Sequence, residues 1–220
     1  MRSSTLTTWF VLPLVLLAGA SAACTVGSYA DENVAYTPAR QQEGDGCDIA
    51  EPLRRLASDS TSDRREAREA LLTFSSKSVE ARQCVIDKLL RIARVSDGYV
   101  ELQRFTEWRE ATGILGTLKA TEALDTLIAC LHCGDGTFGL SLDRFPATKA
   151  LVGIGPEAVP KLAEALESDE PLRRYLAAAA LSEIRGDEAR AALQRVARKE
   201  QDEDTAAAMN YFLQNWDGHR

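Results

Sequence analysis

The sequence predicts an all-α fold, a solenoid of about five stacked helix pairs, from three observations. The string R-x-x-A-x-x-A-L occurs at Arg64, Ala67, Ala70, Leu71, at Arg144, Ala147, Ala150, Leu151, and at Arg174, Ala177, Ala180, Leu181. Degenerate copies at Trp108, Ala111, Ile114, Leu115 and at Thr205, Ala208, Tyr211, Phe212 make the first residues 44, 36, 30 and 31 apart, a spacing typical of solenoid repeats. Each copy is followed by a second amphipathic segment, and no stretch alternates with period two for long enough to suggest a strand.

From the N-terminus, Arg2 precedes the apolar run Trp9–Ala20 and the small residues Ser21-Ala22-Ala23 before Cys24. A charged start, a short apolar core and a small-residue site read as an export signal over 1–23. The run is too short for a spanning helix, which needs about 20 apolar residues. Ala20-Ser21-Ala22 fits A-x-A cleavage to a soluble form. The alternative is cleavage before Cys24 with lipid on its sulfur; the stretch looks like a bacterial lipoprotein box in which Ser21 stands where Leu is usual. Residues 24–46 read as a polar, flexible tether. Removing Cys24 from the five cysteines leaves the even set Cys47, Cys84, Cys130 and Cys133. Tether and count favour the lipid form, at the periplasm or cell envelope.

Residues 47–220 read as the solenoid. The segment 48–58 is an opening half-unit in which Asp48 and Glu51 have helix-start spacing. The second segments are 78–95, 121–131, 156–167 and 187–199. Asp187 suits an N-cap, Pro156 a first helical turn, and Gly155 and Gly186 the stops before it. Tyr211, Phe212 and Trp216 bring larger side chains to the last copy and read as a cap over the core.

These strings resemble the HEAT-like repeats of the short phycobilisome-lyase type, roughly R-x-x-A-A-x-A-L-x-x-I-G followed by D-x-x-A-V-P-x-L-x-x-A-L. Arg174 to Leu181 with Ile184 matches the first half; Ala150 to Gly155, then Glu157 to Leu166, matches both. The resemblance covers about 48–216, strongly in 143–199, and implies antiparallel helix pairs stacked into a curved right-handed solenoid. It also accounts for Ala177–Ala180: a first helix lies between its neighbours, where small side chains permit close approach.

Chemistry finds little foothold. The CxxC at Cys130–Cys133 falls at a helix end, whereas reactive pairs use the helix N-terminus to stabilise thiolate. Gly134 stands where haem attachment needs histidine. With Cys47 and Cys84 scattered, one or two structural disulfides read better than zinc or redox chemistry. Neither His132 nor His219 belongs to a His-Glu pair, and GDGTFG (134–139) lacks the regular oxygen ligands of a calcium loop. No cofactor or metal is expected. The formal charge of −7 becomes −8 once Arg2 leaves with residues 1–23, which argues against a nucleic-acid partner.

What remains is surface. The resemblance implies that second helices line the concave side, where Arg82, Lys88, Arg91, Glu122, Asp125, Glu157, Lys161, Glu164, Gln194 and Arg198 form a mixed row across repeats. The loop 132–145 holds Phe138, Leu140 and Leu142, which read as tucking under the solenoid ahead of the alternative, a docking knob. The leading expectation is a non-catalytic scaffold that binds a protein or extended peptide there. A thiol-redox or bilin-lyase-like enzyme, and a structural tether without a specific partner, are the alternatives. A membrane enters only through lipid on Cys24.

Overall fold

The computed structural model describes residues 47–95, 100, 104–134 and 141–217. The export signal, Cys24 and the whole tether (1–46) lie outside the described residues, as do Phe138, Leu140 and His219. Ten α-helices follow in order: α1 (Ala50–Arg55), α2 (Thr61–Ser75), α3 (Val79–Ala93), α4 (Phe105–Thr117), α5 (Leu124–Ala129), α6 (Pro146–Ile154), α7 (Val159–Ala165), α8 (Pro171–Ile184), α9 (Asp187–Ala197) and α10 (Glu203–Gln214). Among the described residues there is no strand.

The helices form two layers. In the first, α2, α4, α6, α8 and α10 each pack on the next; in the second, α3, α5, α7 and α9 do the same. Links such as α2 to α3, α3 to α4, α5 to α6, α7 to α8 and α8 to α9 join the layers. This is the expected α-solenoid. Its core lies between the layers, built from residues such as Leu71, Ile86, Leu89, Leu115, Leu151, Leu162, Leu181 and Leu193.

All four alanines from Ala177 to Ala180 are buried. Helices α4 and α6 also approach closely: a Cβ added at Gly116 would stand 2.7 Å from Ala150 Cα. Gly153 faces Gly116 from the other side.

Local starts and stops differ from expectation in three places. Asp48 does not cap α1; Ile49 precedes it without a side-chain cap, and Asp48 lies outside the first turn. Asp187 is the first helical residue of α9 rather than its cap, which is Gly186 at φ 91°. The caps that do form are Ser60, Ser78 and Asp202, whose side chains accept from the backbone N–H of Asp63, Ala81 and Thr205. At the far end, Tyr211 is 60% exposed, and burial there falls to Met209 and Trp216. The helical turn aims position 209 inward and 211 away, so the large residues divide between core and surface.

The repeated arginine has a definite task in two copies. Arg64 Nη1 donates to the carbonyls of Ser58 and Asp59 at 2.6 and 3.0 Å. Arg174 Nη1 does the same to Ser168 and Asp169 at 2.9 and 3.1 Å. Both target pairs lie in the loop between the preceding helix and the one that carries the arginine, so the guanidinium fixes that loop. A carboxylate from a later segment completes each: Glu110 for Arg64 at 3.4 Å, and Glu200, bidentate, for Arg174. Arg144 falls instead in a 3₁₀ turn, Leu142–Arg144, ahead of α6.

Candidate binding face

The second layer presents the predicted row, built on the solvent side of α3, α5, α7 and α9, with Glu122 and Glu157 in the 3₁₀ turns ahead of α5 and α7. These helices turn Leu89, Leu127, Leu162 and Leu193 into the core, and helical period then leaves the opposite side to polar residues. Arg91, Glu122, Asp125, Glu157, Glu164, Gln194 and Arg198 are exposed; Arg82, Lys88 and Lys161 are half-buried.

Part of that row is already engaged within the molecule. Arg82 Nη2 donates to the Leu118 carbonyl at 2.7 Å, and its other terminal nitrogen stands 4.0 Å from Glu122. Lys161 meets Asp125 at 2.9 Å and Glu164 at 3.8 Å. The Asp125 contact is the foremost reason the Lys161 ammonium pKa is raised. Arg195, which the row did not include, reaches Glu167 at 4.0 Å. Apart from Lys161–Glu164, which lies within α7, the pairs run from one repeat to the next and stitch them together. Exposed pairs of this kind each contribute little, about 0–1 kcal/mol. Arg91, Glu157, Gln194 and Arg198 have no intramolecular polar partner among the described residues and remain open to another molecule.

The cysteines pair as Cys47–Cys84 and Cys130–Cys133. The first ties the segment ahead of α1 to α3. The second closes the end of α5, with Cys130 only 1% and Cys133 7% exposed. Thiol–disulfide exchange needs a reachable sulfur, and burial at a helix C-terminus is the opposite environment. His132 is half-buried, with Nδ1 shielded and without a partner. Among the described residues no group of three or more His, Cys, Asp or Glu could hold a metal ion, and no helix is long and apolar enough to cross a membrane. Leu142 packs on the core, as expected.

Sequence reading missed the donors that terminate helices from a distance. Trp108 Nε1 donates to Ala93 O, Thr148 Oγ1 to Leu131 O and Arg173 Nη2 to Ile128 O. No local pattern announces them, because each partner comes from another repeat.

Residues 143–211 match the family model of HEAT repeats. Over that stretch the chain is similar to HEAT repeats. The match takes in α6 through most of α10, the region where the arginine–alanine strings are best preserved. HEAT repeats often serve as scaffolds for protein interaction. No curated protein matches the chain.

Proposed function

We propose that the chain is a non-catalytic scaffold of the cell envelope, holding a protein or an extended peptide along the face of α3, α5, α7 and α9. In HEAT-like solenoids this is the concave side. The supporting observation is the division of the charged row. Arg82, Asp125 and Lys161 bind neighbouring repeats together, while Arg91, Glu157, Gln194 and Arg198 point outward without polar partners among the described residues. A partner laid along the layer would meet these groups repeat by repeat, as solenoid ligands do.

A photo-crosslinking residue placed at Arg91, Gln194 or Arg198 in native cells tests the reading. Discrete adducts are expected from those positions and not from Arg65 or Lys149 on the first layer. Equal labelling of both layers ends the proposal. For location, two disulfides in one small domain suit an oxidising compartment, and lipid on Cys24 would hold it at a membrane surface. Detergent partitioning of wild type and Cys24→Ser separates the forms. A wild-type protein in the aqueous phase, beginning at Ala23, would leave the soluble exported form.

A further inference from the structure

The most informative surface outside the second layer is the flank of α2 that faces α1. In the interior copy, Ala150 of α6 is covered by the preceding first-layer helix, since Gly116 of α4 lies directly over it. Ala70 is the matching residue of α2, yet it is exposed. The helix available to cover it, α1, has six residues against fifteen in α2. At about 1.5 Å per residue, it is about 13 Å too short. Ion pairs of Arg55 with Asp63 and Glu66 fix α1 against the N-terminal half of α2, and Ala70 and Thr73 beyond them stay exposed.

The result is a groove of about 490 Å³ walled by Asp48, Ile49 and Pro52 on one side. On the other runs a stripe of α2: Glu66, Glu69, Ala70, Thr73 and Lys77, with Phe74 beside them. These residues follow helical spacing, so the stripe is straight, with its small residue at the centre. That is the shape a packed helix needs. The charges around it are uneven. Glu66 is taken by Arg55, and Lys77 lies over the Phe74 ring at 5.0 Å. Asp48 and Glu69 have no polar partner among the described residues.

We propose that this groove receives a short basic helix of a partner protein, two to three turns long, in the place a full preceding first-layer helix would occupy. Its small or aliphatic face would lie on Ala70, Thr73 and Phe74, with cationic side chains reaching Asp48 and Glu69. This site is separate from the face of α3, α5, α7 and α9, and the two can fail independently.

The test uses the full chain and two synthetic helical peptides with one Ala/Leu pattern, one bearing Lys at the polar positions and one bearing Glu. Fluorescence anisotropy should show saturable binding of the Lys peptide and at least tenfold weaker binding of the Glu peptide. Combined Asp48→Lys and Glu69→Lys should weaken the Lys peptide at least tenfold, with the melting curve confirming a folded protein. Ala70→Gln, which fills the groove without adding charge, should weaken it as well. Arg91→Ala with Arg198→Ala should leave it unchanged. Equal binding of the two peptides, or indifference to the groove variants, overturns the proposal. So does a dimer in sedimentation that Ala70→Gln disperses, because a second copy would then be the occupant.

Discussion

Arg174 shows how a single repeated residue can join three segments. Its Nη1 holds two carbonyls of the loop after α7, and its Nε and Nη2 grip Glu200 at 2.7 and 2.6 Å. The Glu200 side chain is 2% exposed. The hydrogen bond from Arg174 is the leading cause that holds its carboxyl below the usual carboxylate range. A depressed folded pKa gives stability that is complete above the unfolded value, about 4.3, and is lost as pH falls through the folded one. Glu200→Gln should therefore lower stability at pH 7 by about 1–3 kcal/mol. The gap to wild type should narrow below about pH 4. An equal gap in urea melts at pH 3 and pH 7 would show that the charge contributes nothing.

Arg185 makes a second prediction at the same scale. It follows Ile184 as Gly155 follows Ile154, and it adopts the same unusual backbone, φ 68° and ψ −170° against φ 92° and ψ −141°. A side chain in this region costs about 1–3 kcal/mol. Two contacts offset it: a hydrogen bond to the Trp216 carbonyl, and the guanidinium lying 5.5 Å from the Trp216 ring. Arg185→Ala loses the contacts and keeps the strain, whereas Arg185→Gly loses both. The glycine variant should be the more stable of the two by about 1 kcal/mol, as read from denaturant midpoints.

Between elements, the decisive contact is the crossing of α4 and α6. Gly116→Ala would place a methyl 2.7 Å from Ala150 Cα and 2.9 Å from its carbonyl oxygen, both backbone atoms that cannot swing aside. It should destabilise by about 1–3 kcal/mol through overpacking. Gly113 is one turn earlier on the same helix, and its added methyl would meet only the end of Arg68, at 3.5 Å. Gly113→Ala should be neutral or stabilising by up to about 1 kcal/mol, since glycine weakens a helix interior. Thermal melts that rank the two the other way would move the crossing point. The helices and the alanine phase were legible in the sequence because they recur with local period. Gly116 was not, because its importance depends on which residue of α6 lies opposite. The charged row was legible for the same reason as the helices. Its internal pairing was not, because Asp125 and Lys161 meet only once the stacking register is set.

At the scale of the whole described solenoid, stability is a chain of neighbour contacts, and one covalent bridge, Cys47–Cys84, closes its first section. The bridged residues are 37 apart in sequence. Loop-closure entropy assigns such a bridge about 2–4 kcal/mol. Cys84→Ser should lower the stability of the oxidised protein by that order. In hydrogen exchange, α1 to α3 should lose protection while α8 to α10 keep theirs, because repeats pass stability mainly to neighbours. A uniform loss along all ten helices would instead make the stack one cooperative block.

The same bridge has a mechanical meaning. Drawn out by its two ends, an unbridged chain would gain about 120–130 Å of length from the segment between Cys47 and Cys84, at about 3.3–3.6 Å per residue. With the sulfurs joined, the load passes across a Cα separation of 6.4 Å and bypasses that segment. The helices α1 and α2 then stay docked under tension while later repeats yield one by one. The first section behaves as a rigid hook, and the repeats beyond it as the spring.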